Sequence, residues 1–198
     1  MPREEIFLTS KIWPPEYGEG KTLPAVDEML KRLGTDYIDL LLLHQPFGDA
    51  LGAWKELEKA VELGKVKNIG ISNFEDYKFD DIIANAKILP AVHRMECHPY
   101  RQNNAMREKM VEYGIKVMCW YPLGGRGEGG TNAILNDPVI QKIAEVYGKL
   151  SGQRKPYLYK RRAVRPAGTE KDTISRKSAP EGGGNRKTAA AKAFRACR

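Results

Sequence analysis

The segment Tyr37–Pro46, YIDLLLLHQP, constrains the fold more than any other part of the chain. Ile38 and four consecutive leucines around a single acid read as a strand buried on both faces, as in a parallel sheet; a strand with one wet face would alternate. His44 and Gln45 sit at its C-terminal end, before a Pro that cannot continue the ladder. In open α/β sheets and α/β barrels that end is where ligands bind and chemistry happens. The same layout recurs. IFLTSK ends in Lys11, VKNIGISN ends in Ser72 and Asn73, and VHRMECHP and VMCWYPLG end in polar or aromatic residues.

Two patterns alternate over residues 1–148. Apolar, β-branched runs near 6–11, 38–43, 66–72, 91–97 and 115–121 predict strands; amphipathic stretches near 21–33, 50–63, 75–86, 103–113 and 137–147 predict helices. The helix at 50–63 is the best marked, with Asp49 as N-cap, Leu51, Trp54, Leu57 and Val61 as an apolar stripe and Gly64 as the C′ residue. Thr22 and Asn103 are further N-cap candidates. Five βα units in series imply parallel strands joined by crossovers, an α/β architecture. The one long connection, 121–136, is glycine-rich and reads as a mobile or ligand-wrapping loop.

Charge divides the chain at the same place as pattern. Residues 1–148 hold 18 Lys and Arg against 22 Asp and Glu, whereas residues 149–198 hold 15 against 3. The formal charge of +8 therefore belongs wholly to the tail. That tail, 149–198, has no sustained apolar periodicity and predicts a basic segment of low order. Its abrupt onset suggests sequence read out of frame or fused from elsewhere. Three cysteines (Cys97, Cys119, Cys197) without paired spacing fit a reducing, cytoplasmic setting. No apolar run is long enough to span a membrane, and the N-terminus lacks the apolar core of a secretory signal.

Each chemical candidate has an ordinary reading beside it. Lys11 can be a surface lysine at a strand end, or a cation that tunes a neighbouring acid. His44 can be a satisfied core-edge histidine, or a neutral imidazole that orients a carbonyl. Ser72 and Asn73 can cap a helix, or pair with another carboxamide. Trp120 can pack in the core, or offer a platform to a planar ring. The glycines after Leu123 can be a plain loop, or let backbone N–H groups approach phosphate. Cys97 and His98 alternate faces as strand neighbours and cannot chelate one ion well, so no metal is expected. No dinucleotide fingerprint, P-loop, nucleophile elbow or zinc-protease helix is present.

Taken together, REEIFLTSKIW, LKRLGTDYIDLLLLHQP, AWKELEKAVELGKVKNIGISNF, ECHPY and WYPLGGRG resemble the signatures of the aldo-keto reductases in order and approximate spacing. The resemblance covers about residues 3–148 and is nearest to bacterial members with Trp in the last motif. It implies a partial (β/α)8 TIM barrel of about five βα units over 1–148, followed by the irregular basic tail at 149–198. It implies NADPH bound in an extended pose without a Rossmann fold, and reduction of an aldehyde or ketone by hydride transfer from the nicotinamide. The family uses a Tyr general acid, a Lys that lowers its pKa, an Asp paired with that Lys, and a His that orients the carbonyl. On this resemblance Lys11 and His44 match the catalytic Lys and His. Ser72 and Asn73 match the pair that holds the carboxamide, and Trp120 the aromatic that stacks on the nicotinamide. Tyr121, Leu123 and Gly124 fall where the family's loop begins to run along the pyrophosphate.

The departures carry expectations of their own. His93 and Arg94 stand where an Asn-Gln pair is typical, so Arg94 occupies a cofactor-binding position with a side chain that cannot accept a hydrogen bond. The family's Asp and Tyr belong upstream of Lys11 and are not among these residues, and the tail contains no segment like the family's last strand. The resemblance therefore implies an oxidoreductase with impaired turnover and with open sheet edges prone to self-association. The other reading is a non-enzymatic partial-barrel module whose tail touches nucleic acid or anionic surfaces. It ranks lower, because the tail carries no nucleic-acid-binding signature.

Overall fold

A computed structural model of the chain describes residues 1–124 and 130–152. Two compact units emerge, one from Met1–Cys97 with Asn103–Trp120, the other from His98–Gln102 with residues from Tyr121 onward. The first contains the sheet. Its strands are β1 (Thr9–Ile12), β2 (Leu40–Leu43), β3 (Ile69–Ser72), β4 (Val92–Glu96) and β5 (Lys116–Trp120). They lie in the order β1-β2-β3-β4-β5, every neighbouring pair parallel. The helices between them are α1 (Thr22–Leu33), α2 (Ala50–Glu62), α3 (Asp76–Asn85) and α4 (Asn104–Glu112).

One face of the sheet packs on these helices. Ile12, Leu41, Leu43, Ile69, Ile71 and Met95 meet Val26, Trp54, Leu57, Phe79, Ile82 and Met110 in one apolar core. The four leucines of β2 are buried on both faces, as a central parallel strand requires. On the opposite face Gly70 makes room for its neighbour. A Cβ there would lie 2.5 Å from the Val92 carbonyl oxygen and 2.7 Å from a Leu42 methyl. The register explains this, since Gly70 pairs with both Leu42 and Val92.

Buried acids fix the ends of these elements. At the N-terminal edge of the sheet Asp39 accepts from Leu8 N at 2.9 Å, from Arg3 at 2.9 Å and from Lys67 at 3.2 Å. The backbone bond from Leu8 leads in holding its carboxyl down at about 2, with the two cations adding to it. On α2, Glu56 accepts from Leu23 N in the first turn of α1, and Glu58 accepts from Lys87 N and Ile88 N between α3 and β4. One helix thus clamps a neighbour on each side. Asp49 caps α2 through Gly52 N at 2.9 Å, and Gly64 follows the helix at φ +70°.

The other two cap candidates do other work. Lys21 holds the cap position of α1, while Thr22 Oγ1 donates to Glu16 O and accepts from Gly18 N, closing the turn ahead of the helix. Asn103 stands at the cap position of α4, but its amide donates to Glu96 O at 2.8 Å. In the second unit, the connection read as a loop over 121–136 includes a short helix, α5 (Gly130–Leu135). Asp137 then caps α6 (Pro138–Val146) through Val139 N and Ile140 N, with Pro at the first helical position. From residue 153 the predicted basic tail lies outside the described residues.

Two outcomes follow. Gly70→Ala drives a Cβ into backbone and should cost about 2 kcal/mol or more, read as a lower denaturant midpoint at unchanged m. His93 is fully buried, stacked on Phe79 at 5.7 Å, and neither ring nitrogen has a hydrogen-bond partner. Burial lowers its pKa to about 4 from 6.5. The unfolded chain binds that proton more readily, so stability is complete above pH 6.5 and falls as pH drops toward 4, by about 3 kcal/mol. His93→Leu should remove this part of the pH dependence of unfolding free energy.

Candidate active site

The register gathers the functional candidates at one edge. Ile12 pairs with Leu43, Leu43 with Ile71, and Ser72 with Arg94. The next residues along, Trp13, His44, Ser72 and Arg94, therefore form a row across four strand ends. Lys11 lies two residues before Trp13 on the same face of β1. All belong to the first unit, as do Asn73 and Trp120.

Asn73 ties this row together. Its backbone N–H donates to Arg94 O at 2.9 Å. Its Nδ2 donates to His44 O at 3.3 Å and to Ser72 Oγ at 3.2 Å, and its Oδ1 accepts from Trp120 Nε1 at 2.8 Å. One carboxamide therefore touches the ends of β2, β3 and β5. The turn needs φ +63°, a left-handed conformation that Asn adopts more readily than most residues. Ser72 is wholly buried, whereas Asn73 and Trp120 are half-buried. Asn73 Oδ1 keeps a second lone pair, the acceptor a ligand amide requires.

Beside this knot the cluster is electropositive. Burial, and then the Arg94 charge, lowers the pKa of Lys11. Burial, Lys11 and Arg94 lower that of His44, in that order. Burial also lowers the pKa of Arg94, which stays charged. His44 is thereby held neutral near pH 7, and its Nδ1 is buried with no partner. Trp13 meets the imidazole edge-on, with ring centroids 4.5 Å apart. The Tyr17 hydroxyl accepts from Gln45 N at 3.2 Å and fixes the turn that follows His44; burial leads in raising its pKa to about 12. This arrangement can polarise a carbonyl oxygen through cationic and neutral N–H donors beside an indole face held at a set angle.

A profile of the Aldo/keto reductase family matches residues 1–139. The chain belongs to the aldo/keto reductase family. Among curated relatives, morphine 6-dehydrogenase of Pseudomonas putida is 38% identical over 161 residues, covering 76% of this chain and 54% of that protein. An aldo/keto reductase from Brucella melitensis is 33% identical with a TM-score of 0.76, covering 82% of this chain and 62% of the other. A Bombyx mori aldo-keto reductase solved in complex with NADP is 32% identical with a TM-score of 0.74, covering 81% and 57%. The chain spans about half the length of the curated relatives it matches. The five-stranded parallel sheet with its helices fits as part of an aldo/keto reductase barrel.

Within that family frame, Lys11, His44, Ser72, Asn73, Arg94 and Trp120 meet at one end of one sheet. Tyr121, Leu123 and Gly124 belong to the second unit. There Gly124 N donates back to Tyr121 O at 2.8 Å, with Tyr121 at φ +50°, so the first turn after β5 already uses that N–H. The glycines at 125–129 lie outside the described residues. Sequence reasoning missed Trp13 and Tyr17. The signal was there, since both closely follow the first strand end, but neither sits on a strand.

Replacing the cation that faces both titratable groups gives a direct test of the cluster. In Arg94→Gln the His44 pKa should rise toward 6.5, read from the pH dependence of its ring proton resonances. An unchanged titration would mean that the two side chains do not share this space.

Proposed function

We propose that this chain carries the cofactor- and carbonyl-binding part of an NADPH-dependent aldehyde or ketone reductase, within residues 1–148. The observation that carries this reading is the convergence of Lys11, His44, Arg94, Asn73 and Trp120 at the C-terminal end of one parallel sheet. When bound, the reduced nicotinamide supplies the hydride. Trp120 offers its ring face, and the Asn73 bond to its indole N–H keeps that face from turning. Asn73 presents its free lone pair to the nicotinamide amide, while Ser72 fixes Asn73 from within the core. Arg94 donates to the carboxamide oxygen, a role open to a guanidinium although it cannot accept. Neutral His44 donates a hydrogen bond to the substrate carbonyl, and Lys11 adds positive potential where oxyanion charge develops.

The residues placed here bind and orient, so binding is the decisive measurement. Titrating the full chain with NADPH should quench tryptophan emission saturably, and Trp120→Ala should weaken binding about tenfold, the equivalent of about 1.4 kcal/mol. No saturable binding would overturn the proposal. Salt-sensitive binding of DNA or RNA, lost when 149–198 are deleted, would point instead to a charged-tail module.

A further inference from the structure

Beyond that reading, two cysteines stand in a relation the reductase chemistry does not use. Cys119 lies on β5 and pairs in register with Met95. Cys97 follows β4 by one residue and donates its backbone N–H to Trp120 O at 3.3 Å. The side chains of Met95, Cys97 and Cys119 therefore share one face across the β4–β5 junction. The thiols are in hydrogen-bond contact. Cys97 is buried and Cys119 only partly so, which makes Cys119 the more accessible of the two.

We propose that Cys97 and Cys119 form a reversible dithiol–disulfide site, oxidised by a hydroperoxide. Cys119 attacks the peroxide; its S–O bond forms, the O–O bond breaks, and an alcohol or water departs. Cys97 then attacks the Cys119 sulfenic acid; the S–S bond forms, the S–O bond breaks, and water leaves. Two thiols lose two electrons and the peroxide gains them. Diagonal neighbours across a strand pair have Cα atoms roughly 7–8 Å apart, wider than a relaxed disulfide. The bond therefore requires the backbone at Cys97 to move, which is easiest just past the end of β4. A bond formed under strain is readily reduced, which marks this pair as labile rather than structural. Cys119 donates its S–H to the Cys97 sulfur, and that bond leads, ahead of burial, in raising the Cys119 pKa, so oxidation is slower than at an activated thiolate and faster at alkaline pH.

The test is peptide mapping of the full chain after hydrogen peroxide treatment under mildly alkaline conditions. Tryptic peptides 95–101 and 117–126 should appear joined, the free-thiol count should fall from three to one, and dithiothreitol should restore it. In Cys119→Ser, peptide 95–101 should be recovered unlinked. If that variant does not fold, the wild-type map alone decides. Recovery of the two peptides as separate thiols or overoxidised acids, or joined only to the peptide carrying Cys197, would overturn the proposal.

Discussion

The side chain of Asn73 is the joint on which the strand-end architecture rests. Parallel strands place their C-terminal ends along one edge, but backbone pairing alone does not orient what projects there. Asn73 supplies that orientation by bonding His44 O, Ser72 Oγ and Trp120 Nε1 with one carboxamide. Aspartate at this position would lack the N–H donors, and a hydrophobic residue would leave the indole N–H and the His44 carbonyl unsatisfied. The positive φ narrows the choice further, because β-branched and bulky residues are strained in that region.

The two ends of the sheet divide the labour. At the N-terminal end Asp39 binds Arg3, Leu8 and Lys67, so opposite charges meet and are satisfied. At the other end Lys11, His44 and Arg94 share a space in which burial lowers the pKa of all three and nearby positive charge lowers those of Lys11 and His44 further. The first arrangement stabilises the fold; the second works against it and is held by the packing of β1 to β4. Costs concentrated where ligands bind in parallel α/β folds support the proposed placement of the site at this end.

Much of this was legible in the sequence because a buried parallel strand writes itself as an apolar run. YIDLLLLHQP located β2 and His44, and the same logic located Lys11, Ser72, Asn73 and Trp120. Asp49 and Gly64 were readable as caps because their effects are local. What escaped was decided by partners distant in the chain. Thr22 looked like a cap but closes the preceding turn, and Asn103 bonds Glu96 O instead of its own helix. Tyr17 supports the turn after His44 from 28 residues away, a distance no periodicity encodes. His93 read only as a departure from the family pattern. Its burial against Phe79 without a polar partner depends on which face of β4 meets α3. Glycine-rich composition over 121–136 concealed α5, since composition averages over a segment whose second half is helical.

The electrostatics also bear on the job of His44 in the proposed reaction. A proton on its imidazole would sit between the Lys11 and Arg94 charges and lose hydration, and all three effects oppose it. Near neutral pH the ring is therefore a hydrogen-bond donor with no proton to spare. Such a group can hold a carbonyl in place but cannot complete its reduction to an alcohol. The same field that disfavours an imidazolium favours a developing alkoxide, so the cluster binds the charge of a transition state better than that of a neutral substrate. Proton delivery must then come from a separate acid. That division between an orienting imidazole and a distinct proton donor follows from the burial of His44 and the two positive charges beside it.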